Sequence, residues 1–489
     1  MTPNNLPAVT RFAPSPTGFM HIGGVRTALF AYLYAKRTGG TFILRIEDTD
    51  KEREVLGSID HIKASLEWLG LTYDFGPDKP GPWGSAIQSE RLPIYQRYAQ
   101  TLIEKGLAYP DPYTPEEVEG FRAAAAAEKR PFLFRDHRPA TFSAWDGTRP
   151  LRLKVPEIKR YTWQDAVRGE LTAGPEALDD VVLIKADGYP TYNFAHIVDD
   201  HEMGVTHIMR ADEFIASTPK FLSIYDALGI PYPIFVSLPP ILRDDRTKKL
   251  GKRDGAKDIL DYRTEGYLPD AMVNFLAMTG WNPGTDQEFF TREELVAAFD
   301  IHRIQRAGAV VNDDKLLWLN KQHLSRLSDN DFLSYLLEST VDHPLLSVAH
   351  ADTLPSLVPT IRERISVRSE FDTALMDGEY DFAVTQPTYD TALLLWKKDP
   401  DVAAALPRLE RLVQLLTQAT VWGNEELKAI VMPYAEEVGK GEVLWPLRVA
   451  LSGRAQSPDP FTLMVTIGKA ATLDRLATAC AKIGSNATT

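Results

Sequence analysis

The stretch Arg11-Phe12-Ala13-Pro14-Ser15-Pro16-Thr17-Gly18-Phe19-Met20-His21-Ile22-Gly23-Gly24 constrains this chain more than any other. Ala8 to Ala13 alternates in the period of a short strand. Pro14 and Pro16 then exclude helix and fix an extended loop. Gly18 supplies dihedrals closed to other residues. After His21 a helical pattern begins, with Val25, Ala28, Leu29, Tyr32 and Leu33 on one face and Gly39-Gly40 at its end. Strand, rigid loop and helix start, in that order, predict an α/β unit. Its unpaired N–H groups and helix dipole would favour a phosphate, and His21 would add a donor for a phosphoryl oxygen.

Thr41 to Ile46 reads as a second strand running into Glu47-Asp48-Thr49-Asp50, where open α/β sheets hold ligands. Thr49 or Asp50 suits a helix cap, and Glu47, nearest the strand, suits an ammonium. Asp60 to Leu69 and Leu92 to Gly106 read as helices on either side of a Pro/Gly loop, Gly76 to Gly84. From Ala108 the regularity breaks. Tyr109 to Tyr113 is extended, Thr114-Pro115-Glu116-Glu117 is a capped helix start, Arg122 to Arg130 is alanine-rich, and Leu151 to Val155 alternates as a strand. Residues 108–185 therefore read as an insertion between two halves of a nucleotide fold. Asp180 to Lys185 has the near-continuous apolar run of a buried parallel strand. His196, Asp199, Asp200 and His201 share helical spacing, and are read as a hydrogen-bonded helix face rather than a metal site. Val205 to Arg210 is a further strand, ending in Arg210-Ala211-Asp212-Glu213.

A chain of 489 residues predicts several domains. The single cysteine, Cys480, excludes an internal disulfide and a cysteine zinc cluster and fits a cytosolic protein. No apolar run reaches about eighteen residues, and Met1 to Pro7 carries no signal-peptide core. The net charge of −13 argues against a nucleic-acid partner, yet Arg243 to Lys257 holds seven basic and three acidic residues. Gly251-Lys252 lacks the glycine and hydroxyl of a Walker loop. Beyond Ile259 the chain reads as helices and short loops, with a helix from Leu268 to Gly280 and a turn at Trp281-Asn282-Pro283-Gly284. After about 325, stripes such as Leu409, Leu412, Val413 and Leu416 read as bundle core.

Arg11 to Gly24 resembles the HIGH signature of class I aminoacyl-tRNA synthetases in the form used by the glutamyl and glutaminyl branch, with Gly24 in place of the second histidine. Lys249-Leu250-Gly251-Lys252-Arg253 resembles the KMSKS motif of the same class, with Gly for Ser. Tyr192-Asn193-Phe194, Val311 to Asn320 and Leu444 to Gly453 extend the likeness over essentially the whole chain, which resembles bacterial-type glutamyl-tRNA synthetases. A glutaminyl enzyme would usually continue as a β-barrel, unlike the helical pattern here. The resemblance implies an α/β split Rossmann-like parallel-sheet catalytic core, an inserted α+β domain, a stem-contact domain and an all-α C-terminal anticodon-binding region. The core halves fall at 1–107 and 186–240, the acceptor-arm insertion at 108–185, the KMSKS loop and stem-contact domain at 241–325, and two helical domains at 326–378 and 379–489.

The implied activity is ATP-dependent attachment of L-glutamate to tRNA(Glu) through a glutamyl-adenylate, by a cytoplasmic monomer without a membrane partner. A non-discriminating enzyme that also glutamylates tRNA(Gln), and a non-catalytic tRNA-binding paralogue, are the alternatives. The resemblance gives His21, Lys252 and Lys249 catalytic roles, and it gives ATP contacts to Gly18, His21, Gly23, Gly24, Glu213, Leu242 and Lys252. Arg11 and Arg210 match clamps for the two glutamate carboxylates, in either order. Glu47 and Ser15 match the ammonium side, Tyr192 supplies a hydroxyl, and His196 occupies the family's next pocket position. Arg364 falls near an anticodon-reading position. Mg²⁺ would accompany ATP, held mostly by phosphates and water. Related enzymes often bind zinc through cysteines in the insertion. Prolines and tyrosines stand there in this chain, so neither zinc nor another protein-held metal is expected.

Overall fold

A computed structural model describes residues 6–242 and 257–486 of the chain. The chain divides into two compact units, one running up to Thr264 and including Leu268–Leu319, the other comprising Glu265–Tyr267 and Asn320 onward.

The first unit is built on a six-stranded sheet. Val9–Phe12 (β1) pairs in parallel with Thr41–Leu44 (β2), from Val9 opposite Thr41 to Phe12 opposite Leu44. Ala108–Pro110 (β3), Leu151–Leu153 (β4), Tyr161–Asp165 (β5), Gly169–Ala173 (β6) and Val182–Ile184 (β7) follow before His207–Ala211 (β8) and Ile234–Leu238 (β9). The large sheet has the order β2-β1-β8-β9-β5-β6, parallel except for the β5–β6 hairpin at its edge. β3, β4 and β7 form a separate antiparallel sheet. Residues 108–185 thus feed two sheets, because Asp165 pairs with Phe235 and ties the hairpin to the large one.

Ile22–Arg37 (α1) crosses from β1 to β2 and buries Val25, Ala28, Leu29, Tyr32 and Leu33, the face its apolar spacing defines, with Phe30 buried outside that face. Ser58–Trp68 (α2), Leu92–Glu104 (α3) and Pro115–Ala127 (α4) come next, then Tyr192–Glu202 (α5) and Thr218–Leu228 (α6). The capped start at Thr114 forms a reciprocal box with Glu117. A buried polar knot holds the small sheet. Asp180 accepts from both Nε and Nη2 of Arg138 at 2.7 and 2.6 Å, and from the Tyr109 hydroxyl at 2.6 Å. Arg152 lies 3.4 Å over the Phe134 ring beside it.

The second unit is helical, with Asp329–Leu337, Leu354–Arg364, Arg368–Met376, Leu406–Thr417, Asn424–Val438, Lys440–Ser452 and Pro460–Asn486. Leu409, Leu412 and Leu416 are fully buried, while Val413 is half-buried at the margin of the same stripe. Among the described residues no helix is long and apolar enough to cross a membrane.

Candidate active site

The order β2-β1-β8 sets three carboxyl ends side by side. Arg11 lies in β1, Arg210 in β8, and Arg45 and Glu47 just beyond β2. The chains stay paired past the strands, since Arg45 N–H donates to Phe12 O at 2.9 Å and Glu47 N–H to Pro14 O at 3.0 Å. A cavity of about 270 Å³ opens here, and Arg11, Ser15, Glu47, Tyr192, Arg210 and Phe214 all line it. Its wall presents two guanidinium groups, one carboxyl and the hydroxyls of Ser15, Thr27 and Tyr192, at the crevice position expected of an open α/β sheet.

Each charge has a defined support. Arg11 donates from Nε to Asp200 Oδ1 at 3.1 Å and from Nη1 to Met209 O at 3.3 Å. Arg210 donates from Nη2 to Thr218 Oγ1 at 3.3 Å and stands 4.7 Å over the Phe221 ring. Its Nη1 is buried without a hydrogen-bond partner among the described residues. Burial lowers the Arg210 pKa, but a guanidinium so perturbed stays protonated at neutral pH. Burial pushes the Glu47 carboxyl up, against the opposing pull of Arg45 and Arg11. Burial acts the same way on Asp200, but there Arg11 and Arg45 prevail and bring it down to about 2.

Tyr192 opens α5 and puts its ring on the cavity wall. His196, one turn later, is not among the residues lining the cavity. Its ring stacks on Tyr192 at 4.6 Å and meets the Phe221 ring edge-on at 4.7 Å. Burial holds its pKa at about 3, so the ring is neutral, and Nδ1–H donates to Tyr192 O at 2.7 Å. His196 therefore backs the tyrosine that faces the cavity. The acids of the same helix are engaged by cations and donors. Asp199 accepts from Arg91 Nε, Gln88 Nε2 and the Tyr95 hydroxyl, each at 2.8 Å.

The proline loop leads into α1 through His21, whose Nδ1 accepts from Gly23 N–H at 3.1 Å. That bond leaves the proton of the neutral ring on Nε2, a donor. A Cβ on Gly23 would come within 2.8 Å of the His21 ring, so the close approach requires glycine there. Gly18 takes φ of 139°, a value that other residues rarely adopt. Gly24 lines the Arg11 cavity. Glu213 is exposed in a short 3₁₀ turn directly after β8. Leu242, in Ile241–Leu242 (β10), pairs with Ala309–Val310 (β11) and lines a second cavity, of about 360 Å³, with Phe275 and Gly308. Lys249 and Lys252 lie outside the described residues. Arg364 ends the helix Leu354–Arg364 in the second unit and pairs with Glu379 at 3.4 Å.

Arg45 escapes a sequence reading, as do the partners of Asp200, which helical spacing places only on a hydrogen-bonded face. Arg45 is fully buried and bonds Glu47 and Asp200 together. Asp200 joins Arg45 to Arg11. The signal for Arg45 is a charge set inside the apolar run Phe42-Ile43-Leu44-Arg45-Ile46, two residues before Glu47. A charge in such a run demands a buried partner.

The family model "tRNA synthetases class I (E and Q), catalytic domain" matches residues 7–318, and "Anticodon binding domain" matches residues 330–480. The glutamate–tRNA ligase of Clostridium botulinum (strain Eklund 17B / Type B) is 38% identical over 482 residues, covering 96% of this chain and 97% of that relative. That of Clostridium tetani is 38% identical over 484 residues, with 96% of each chain covered. A crystal structure of a glutamate tRNA ligase from Elizabethkingia meningosepticum in complex with its amino acid is 33% identical, with a TM-score of 0.84 over 97% of this chain and 99% of that one. Its counterpart from Elizabethkingia anophelis is 32% identical, with a TM-score of 0.80 over 97% of this chain and 99% of that one. The chain belongs to the glutamate–tRNA ligases, within the class I tRNA synthetases of the E and Q type.

Proposed function

We propose that this chain uses ATP to attach L-glutamate to tRNA(Glu). The amino-acid carboxylate attacks the α-phosphate and expels pyrophosphate, and the terminal ribose hydroxyl of the tRNA then takes the glutamyl group. One observation carries this reading: Arg11, Arg210, Glu47, Tyr192 and Ser15 line a single small cavity. Glutamate presents two carboxylates and one ammonium, and two guanidinium groups with one carboxylate are their complement. Arg11 and Arg210 take the carboxylates, Glu47 the ammonium, and the hydroxyls of Tyr192 and Ser15 complete the set. At neutral pH the Tyr192 phenol remains protonated, because burial pushes it up to about 12.

The chemistry needs alignment and charge stabilisation more than covalent help. His21 Nε2–H serves a phosphoryl oxygen, with Gly18, Gly23 and Gly24 allowing close approach and Glu213 and Leu242 on the adenosine side. Lys252 and Lys249 pair with the departing pyrophosphate, where one such donor is worth about 10²–10³ in rate. ATP enters with Mg²⁺, held mostly by its own phosphates and water. Arg364 belongs to the anticodon-reading surface, and Arg243–Lys257 to the basic track along the tRNA.

The direct test is glutamylation of purified tRNA by the purified chain with ATP, Mg²⁺ and radiolabelled glutamate. Glutamate-dependent, ATP-dependent acylation of tRNA(Glu) is the expected outcome. No acylation by a folded chain would overturn the reading.

A further inference from the structure

The guanidinium of Arg45 has no exposed surface and is not among the residues lining the cavity. Three carboxylates surround it. Nε and Nη2 reach Glu47 Oε1 at 3.3 and 2.9 Å, Nη1 reaches Asp200 Oδ1 at 2.7 Å, and Asp199 stands 3.9 Å away. The Asp200 oxygen it grips is the one that also accepts from Arg11 Nε. A chain of charge-assisted bonds therefore runs from Glu47 through Arg45 and Asp200 to Arg11. Both ends of that chain lie on the cavity wall, and both middle members lie behind it.

We propose that Arg45 is a positioning residue for amino-acid recognition, holding the ammonium acceptor Glu47 and the carboxylate donor Arg11 in one fixed relation from beneath the cavity. The proposal rests on the reading of the cavity as the glutamate site. A planar fork can serve two carboxylates on different elements at once, whereas a lysine offers a single point charge. Burial makes the arrangement binding, because Glu47 or Asp200 left without Arg45 would be an under-compensated charge in a dry site. The groups facing Glu47 are Arg45 from the same segment beyond β2, Arg11 from β1, and Asp200 and Tyr192 from α5. Loss of Arg45 removes the strongest of the two cations that keep Glu47 ionised, and Glu47 then takes up a proton nearer neutrality.

The experiment compares full-length wild type with Arg45→Lys, Arg45→Gln and Asp200→Asn in tRNA-dependent glutamylation. KM for glutamate, KM for ATP and kcat are each measured between pH 6.5 and 8.5. Both Arg45 variants should raise KM for glutamate about ten- to hundredfold, the effect of a small misplacement of a binding group. KM for ATP should stay within about twofold. The glutamate KM of Arg45→Gln should fall as pH rises and Glu47 regains its charge. Asp200→Asn should raise the glutamate KM without that pH dependence, since removing a neighbouring carboxylate favours Glu47 ionisation. Asp200→Asn also keeps the test open where Arg45→Gln does not fold. Equal rises in both KM values, or an unchanged glutamate KM in folded Arg45→Lys, would overturn the proposal. Wild type that fails to acylate tRNA would overturn the functional reading instead.

Discussion

Arg11 Nε and Asp200 Oδ1 meet at 3.1 Å across 189 positions of sequence, joining a strand of one half of the sheet to the helix that introduces the other. The bond does two things. It holds a guanidinium on the cavity wall, and it shares with Arg45 the compensation of a buried carboxylate.

Arg11→Ala should therefore act on glutamate more than on the fold. Asp200 keeps Arg45 in the variant, so no charge is stranded. KM for glutamate should rise by at least about 10², the cost of truncating one partner of a desolvated charge pair, with ATP affinity little changed. Steady-state glutamylation with glutamate and ATP varied separately measures the split. Equal losses for both substrates would place Arg11 elsewhere in the reaction.

Lys252→Ala should lower kcat for adenylate formation with a modest change in the glutamate KM. Pyrophosphate exchange, run with tRNA present, checks this. A change confined to KM would make the lysine a ground-state contact.

The pH dependence of stability should carry the signature of His196. Its ordinary pKa of 6.5 falls to about 3 in the folded chain, chiefly through burial. The unfolded chain then binds the extra proton between those values, so stability is full above pH 6.5 and is lost as pH falls toward 3. The slope from one such group is about 1.4 kcal/mol per pH unit. Denaturant unfolding of wild type and His196→Gln at pH 7, 6, 5 and 4 should show the variant losing less with acid. Parallel curves would mean that His196 is not buried neutral.

Asp180→Ala should destabilise the first unit by about 2–4 kcal/mol, because it strips the buried Tyr109 hydroxyl, the Val155 N–H and the half-buried Arg138 guanidinium of their acceptor. Arg138 and Tyr109 would both lose their partner. A thermal melt of the full chain checks the loss, and hydrogen exchange should place it in β3, β4 and β7.

Much of this arrangement is legible in the sequence. The proline loop forbids helix by covalent geometry, and the apolar spacing of α1 follows from its buried face, so the strand, loop and helix around His21 read directly. Thr114 and Glu117 signal a capping box by side-chain chemistry alone. Long-range partners are different, because nothing local encodes them. Arg45 read as part of a strand, and only pairing with residues 155 positions away shows why a charge sits there. The same limit hides the Asp165–Phe235 pairing that attaches the β5–β6 hairpin to the large sheet. His196 shares a helix face with Tyr192 by spacing, and that spacing does not say which of the two rings faces the cavity.

The most direct test is a crystal structure of the chain soaked with L-glutamate. The amino acid should lie with its two carboxylates on Arg11 and Arg210 and its ammonium on Glu47. Glutamate bound elsewhere, or bound there with its ammonium turned away from Glu47, would contradict the assignment.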